Sequence, residues 1–336
     1  MKRIALALLT LLTMGAASEG VAERRDRRRF QQIGRSVDIG GRSLNVYCSG
    51  EGSPAVVMDS GRGRPGYSWL LVQPRIAGMT RACWYDRAGI GWSDRGPSPR
   101  SSDIVARDLH ELLRAASIPP PYVLVGHSMG GFNVRLYHRL FPGEVVGMVL
   151  VDARQEDMET RIPDMPRSLE ALCPSCPRAP VAVVAEAVAR LGLLRLLPFE
   201  TGPAPNGMTS EEWERLLSLE RQPGAVAASI QEYSGSANDE RMRAAVDLGS
   251  LPLVVLTAGN AFASSSRVTA GKLAQVQRDW IQVQGELARQ SARGKHVVVA
   301  GSGHMIPFEA PDAVIGAVRD VLGLISSNRP AGSARP

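Results

Sequence analysis

The chain has 336 residues, 44% of them hydrophobic and 21% charged, which suits one large soluble domain or one domain carrying an insertion. Its formal net charge of +6 invites a nucleic-acid reading. Much of that excess is local, in the five arginines of RRDRRR at 24–29, and no nucleic-acid motif accompanies it, so no nucleic-acid partner is expected.

In chain order, residues 1–22 read as a secretory signal peptide. Lys2 and Arg3 precede the apolar run IALALLTLLTMGAA, and Ala16, Ala17 and Ser18 supply the small residues that cleavage needs. The run is shorter than the roughly 20 residues of a membrane span. Export to the periplasm or exterior is expected, with a retained N-terminal anchor as the alternative. Residues 23–35 read as a basic, flexible arm, with weak attraction to anionic surfaces as the sharper alternative.

From Ser36 to Ala153, short apolar runs alternate with helical patterns. SVDIGGRSLNVYCSG reads as a hairpin turning at Gly40-Gly41. PAVVMDSG and RACWYDRAG read as buried strands. SSDIVARDLHELLRAAS has helical spacing behind a Ser101 or Ser102 cap. A strand at 122–126, a helix through Phe141 and the strand VVGMVLVDA follow. The stretch 154–249 breaks this rhythm: it is helical in pattern with proline at its joints, and Thr209 and Glu212 form a capping box. It reads as a helical cap inserted between two strands. Its apolar segment PVAVVAEAVARLGLLRLL is expected to pack over the sheet or line an acyl pocket, in preference to touching a membrane. Residues 250–325 complete the core with the strands LPLVVLTAG and HVVVAGSG and a closing helix, and 326–336 form a polar tail expected to be disordered. Near-continuous apolar strands alternating with helices mean a mostly parallel sheet covered on both faces, an α/β fold.

Four cysteines in an exported chain can pair in three ways. Cys173 and Cys176 stand in CPSCP, which is half a zinc site at most, so no metal is expected. A redox role would need a thioredoxin-like context that is missing. The pair reads as a local disulfide or two free thiols.

The chemistry concentrates in YVLVGHSMGG at 122–131. Gly-His-Ser-Met-Gly between a strand and a helix matches the nucleophile elbow, where a sharp turn demands small neighbours and exposes Ser128 beside a helix N-terminus. A serine hydroxyl needs a base. Of the five histidines, His127 lies inside the elbow with its side chain turned away from Ser128, His110 and His138 fall on helices, and His296 opens a strand. His304, in the loop GSGHMIPFEAP after the last strand, is the candidate general base.

With GHSMGG, YDRAGIGWSD at 85–94 and the late GSGH, the chain resembles an α/β-hydrolase-fold serine hydrolase from about residue 36 to 325. The resemblance implies eight strands and the chain order Ser, acid, His. The usual acid follows strand seven, yet no Asp or Glu occurs from Leu251 through Gln277. Some members of the fold place the acid after strand six, where this chain has Asp152; the alternative reading of that residue is a strand-end turn cap. Asp279 and Asn260 are weaker candidates. The oxyanion hole implied by the resemblance uses the backbone N–H of Met129 and one from the loop after strand three, here Ser60-Gly61-Arg62 in place of His-Gly-X, so Arg62 supplies the second donor. In YDRAGIGWSD, Asp86 and Arg87 are expected to form a structural ion pair, with Gly89 and Gly91 in tight turns. The fold's antiparallel second and fourth strands imply a Cys48–Cys83 disulfide.

The expected function is hydrolysis of a small-molecule ester without cofactor or metal. Amide or carbon–carbon cleavage and acyl transfer would use the same residues. A non-catalytic ligand-binding protein and an enzyme of the lipid interface are the rivals.

Overall fold

The computed structural model describes residues 2–156, 158–162, 178–193, 202–236, 247–262 and 269–327. Eight strands form one sheet: β1 (Arg35–Asp38), β2 (Ser43–Ser49), β3 (Ala55–Asp59), β4 (Ala82–Tyr85), β5 (Tyr122–His127), β6 (Val145–Val151), β7 (Leu253–Ala258) and β8 (Gly294–Val299). Their spatial order is β1-β2-β4-β3-β5-β6-β7-β8. β2 runs antiparallel to β1 and β4, and the pairs from β4 to β8 are parallel. The hairpin turns where expected: Gly40 and Gly41 take φ of 101° and 86°, and Asp38 Oδ1 accepts both their N–H groups.

The apolar runs lack alternation because both faces are covered. Along β3, Ala55 and Val57 face one core cluster while Val56 and Met58 face the other. On the first face lie α3 (Ser102–Ala115) and α4 (Gly130–Leu140), with Leu109, Leu112, Val134 and Tyr137 buried. Ser101 is the N-cap of α3 by position, but its Oγ donates to Asp103 and does not close the helix end. The second face is covered by α2 (Gln73–Ala77) and the C-terminal helix at Pro311–Ser326, through Ile76, Val314, Val318 and Val321. Cys48 and Cys83 face each other across β2 and β4, 4.1 Å apart at Cα, and are joined as a disulfide. Cys173 and Cys176 lie outside the described residues, as does the tail from 328.

The N-terminal helix α1 (Lys2–Arg29) covers the apolar N-terminal run and continues through the basic run, where the sequence suggested a flexible arm. Phe30, buried beneath the guanidinium of Arg215, anchors its end. Between β6 and β7 come α5 (Met158–Arg161), α6 (Arg178–Arg190), α7 (Ser210–Glu220) and α8 (Pro223–Ser236), with the capping box of Thr209 and Glu212 at the start of α7. The apolar α6 departs from expectation. It packs against α8 and α1, touching α1 where Gly15 meets the backbone of Leu191, and leaves Val183 and Val184 67% and 61% exposed instead of laying them on the sheet. Helix α9 (Ala270–Ala288) joins β7 to β8. Among the described residues, no helix is long and apolar enough to cross a membrane.

Candidate active site

β5 ends at His127 and α4 begins at Gly130, so the chain must turn within two residues. Ser128 takes φ of 52°, a left-handed conformation that costs a non-glycine residue about 1–3 kcal/mol. Surrounding hydrogen bonds hold it: Ser128 N donates to Val151 O at 3.0 Å, and Ser128 O accepts from Gly131 N and Arg154 N at 3.0 and 2.9 Å. The glycines are required by close approach. A Cβ on Gly126 would stand 2.5 Å from Gly130 O, and one on Gly130 would stand 2.3 Å from Asp59 O.

Asp152 follows β6 with φ of 41° and is fully buried, its N–H donating to Leu256 O at 2.7 Å. One carboxylate oxygen, Oδ2, lies 2.6 Å from His304 Nδ1, and the other imidazole nitrogen, Nε2, lies 3.1 Å from Ser128 Oγ. An ionised carboxylate only accepts, so Nδ1 carries its proton toward Asp152 and Nε2 is left to accept from the serine hydroxyl. The His304 side chain is 43% exposed while that of Asp152 is wholly covered, which leaves the imidazole open to an incoming molecule and shields the carboxylate from water. The other acid candidates fall elsewhere: Asp279 accepts from Gln275 on an exposed stretch of α9, and Asn260 contributes its backbone N–H to Ser302 O.

Two groups that sequence reasoning missed hold the acid. Asp152 Oδ1 accepts from Ala258 N at 2.8 Å and from Trp280 Nε1 at 2.7 Å. The tip of β7, where an acid is absent, thus supplies an N–H instead. The only sequence signal was an apolar aromatic on a helix, which reads equally as core.

Of the other four histidines, His138 lies in the last turn of α4 and the remaining three have partners of their own. His110 stacks on Phe141, and His296 Nε2 lies 2.8 Å from Thr257 Oγ1. His127 is buried behind the site, its Nε2 2.9 Å from the backbone oxygen of His304 and its ring edge-on to Trp69. Burial, followed by the charges of His304 and Arg64, pushes its pKa well below the usual imidazole range, against the hydrogen bond to His304.

The loop Ser60-Gly61-Arg62 lies against the elbow: a Cβ on Gly61 would stand 3.4 Å from Ser128 Cβ. Met129 occupies the N-cap of α4, directly after Ser128. The loop is gripped from behind by Arg87, which donates from Nη1 to Ser60 O at 2.7 Å and from Nη2 to Gly61 O at 2.8 Å. Here the expected Asp86–Arg87 ion pair is corrected. Arg87 pairs with Asp59 at 2.5 Å and Glu232 at 2.6 Å, all three side chains at most 1% exposed. Asp86 accepts instead from Asn45 Nδ2, Gly66 N and Trp92 N, and burial pushes its pKa up to about 6. Asp86 is thus taken up by backbone and amide donors on one side, while Arg87 turns to the carboxylates of Asp59 and Glu232. Gly91 is needed there, with φ of 57° and no room for a Cβ beside the Asp86 carboxylate.

Among the described residues, no group of three or more His, Cys, Asp or Glu is arranged to hold a metal ion. The arrangement couples a hydroxyl, an imidazole and a buried carboxylate in series at the carboxyl edge of the sheet, and residues 56–317 match the family model described as alpha/beta hydrolase family. The chain belongs to the alpha/beta hydrolase family. The chain is 26% identical over 316 residues to a probable transporter, efuK, of Hormonema carpetanum, an alignment covering 87% of this chain and 43% of that one, so it spans less than half that relative's length. Among solved structures, it superposes on a thermophilic esterase from Thermogutta terrifontis with TM-score 0.61 and 22% identity, covering 87% of this chain and 98% of that one. A putative lipase from Acinetobacter baumannii gives TM-score 0.62 and 17% identity, covering 93% and 97%. At these identities the structural likeness carries the fold alone, not an activity or a substrate.

Proposed function

We propose that the protein is an exported serine hydrolase that cleaves a carboxylic ester of a small or medium acyl substrate through an acyl-enzyme. The observation that carries this reading is the unbroken series Ser128 Oγ, His304 and Asp152, with contacts of 3.1 and 2.6 Å. His304 takes the proton of Ser128 as the hydroxyl attacks the ester carbonyl; Asp152 fixes the tautomer and stabilises the charged imidazole. The N–H groups of Met129 and Arg62 receive the oxyanion, each worth about 3 kcal/mol in the transition state. His304 then protonates the leaving alcohol, and water, activated by the same imidazole, releases the acid. Acyl transfer, amide hydrolysis and carbon–carbon cleavage beside a ketone are the secondary reading on the same residues. Epoxide and haloalkane hydrolysis are disfavoured, because a serine stands where they need a carboxylate. The helices between β6 and β7 serve as the cap over the site. The Cys48–Cys83 disulfide supports export to an oxidising compartment.

The test is labelling by a fluorophosphonate probe with turnover of chromogenic esters from two to sixteen carbons. The wild type should label and Ser128→Ala should not, with turnover lost in parallel. A folded wild type that resists the probe would instead support a ligand-binding protein on the same scaffold. Activity that rises only on aggregated substrate would place the enzyme at a lipid interface.

A further inference from the structure

Helix α9 crosses the carboxyl tips of β6 and β7 and presents one row of donors to them. Gln277 Nε2 donates to Ala258 O at 2.8 Å, Trp280 Nε1 to Asp152 Oδ1 at 2.7 Å and Gln284 Nε2 to Ala153 O at 2.6 Å. Positions three and four apart share a helix face, so 277, 280 and 284 act as one edge laid along the acid and its neighbours. Gln155 ties the arrangement from the other side, donating Nε2 to Val283 O at 2.6 Å. Trp280 is 3% exposed and packs with Met158, Val276 and Phe262.

An indole has one donor and no acceptor, and when buried it must place that N–H. Here it goes to the oxygen of Asp152 that does not face the imidazole. Ala258 N–H alone would leave Oδ1 a hinge about which the carboxylate can turn. A second donor from a different element fixes the plane, and so keeps Oδ2 on Nδ1. We propose that Trp280 is a positioning residue for the hydrolysis: its indole N–H locks the Asp152 carboxylate and, through it, the His304 imidazole against Ser128. This rests on the serine-hydrolase reading above and deepens it, because it explains how an acid placed after β6 is held without a carboxylate on β7.

Trp280→Phe keeps an aromatic ring among the same apolar neighbours and removes the N–H. The expected result is a kcat lower by about ten- to a hundredfold, the worth of one hydrogen bond to a charged group, with KM changed less than about twofold. In an Asp152→Asn background the same replacement should cost less than about twofold, because the carboxylate it serves is already gone. A purely structural tryptophan would lower both backgrounds by the same factor. That result, or a kcat within about twofold of wild type, overturns the proposal. Should Trp280→Phe fail to fold, the indole itself can be read in protein labelled with nitrogen-15 tryptophan. One of the five indole resonances should move on Asp152→Asn, and five unmoved resonances overturn the proposal equally. Fluorophosphonate labelling of Ser128 is the separate control. Its absence in the wild type withdraws the hydrolase reading, whereas normal labelling with unchanged Trp280→Phe kinetics withdraws only the role of Trp280.

Discussion

Arg87 and Glu232 meet in a buried bidentate ion pair, Nε to Oε1 at 2.6 Å and Nη2 to Oε2 at 3.1 Å, which joins the loop after β4 to helix α8. The same guanidinium holds Asp59 and the carbonyls of Ser60 and Gly61, so the inserted helices are fastened to the loop that faces the elbow. Asp59 is further held by Tyr85 and Asn133, at 2.8 and 2.9 Å, and burial still raises its pKa. Removing one member leaves charge buried with too few partners. Glu232→Ala is expected to cost about 3–5 kcal/mol in urea unfolding and to slow probe labelling of Ser128. A loss below about 1 kcal/mol would mean that water or another side chain replaces the carboxylate.

Gly131 and Ala153 back onto each other between the elbow and the acid: a Cβ on Gly131 would stand 2.4 Å from Ala153 Cβ. Gly131→Ala is expected to destabilise by about 1–3 kcal/mol through overpacking, and to lower turnover by pushing Ser128 and Asp152 apart. Adding Ala153→Gly moves the methyl to the opposite wall and should recover most of both losses. Thermal unfolding and ester turnover of the two singles and the double decide it; additive losses in the double would refute the contact.

What the sequence disclosed follows the range of each signal. Ser128 was legible because an elbow is local: a strand, two glycines and a helix start within ten residues. His304 was legible from its loop, and Asp152 from the family resemblance, which offers a place after strand six when, as here, the stretch 251–277 after strand seven carries no acid. The disulfide was implied by the family resemblance, whose second and fourth strands run side by side and bring residue 48 beside 83. Trp280 and Glu232 were not legible, because each meets its partner across more than a hundred positions and nothing local distinguishes a buried indole donor from ordinary core. Asp86 and Arg87 misled because adjacency in sequence suggested a pairing, whereas each meets partners far along the chain, Arg87 at Asp59 and Glu232 and Asp86 at Asn45 and Gly66. The exposure of Val183 and Val184 was equally hidden, since an apolar helix carries no mark of which neighbour it will choose.

The Cys48–Cys83 bridge closes a loop with sequence separation 35 and ties β2 to β4 near the antiparallel end of the sheet. Loop-closure entropy sets its contribution at about 3–4 kcal/mol. The double replacement Cys48→Ala/Cys83→Ala should lower the free energy of unfolding by that amount while leaving Ser128 reactive. Peptide mapping of unreduced, denatured protein should find both thiols blocked. Free thiol at either position removes the bridge from the account.

His127 gives the stability a pH dependence of definite sign. Its folded pKa lies well below the 6.5 expected of it in the unfolded chain, with burial as the largest cause. Below about pH 6.5 the unfolded chain therefore binds one more proton at this residue than the folded chain does. The stability that neutral His127 contributes is present above that pH and is lost as pH falls toward its folded pKa, by up to about 1.4 kcal/mol per pH unit. Lowered values at His138 and His296 add slopes of the same sign elsewhere. His127→Gln can keep a donor to the His304 carbonyl and cannot titrate, so its unfolding free energy should fall less steeply than that of the wild type between pH 6.5 and 5. Urea titrations of both proteins at intervals across that window test this. Parallel curves would mean that His127 becomes protonated within the fold, and the neutral imidazole behind His304 would have to be abandoned.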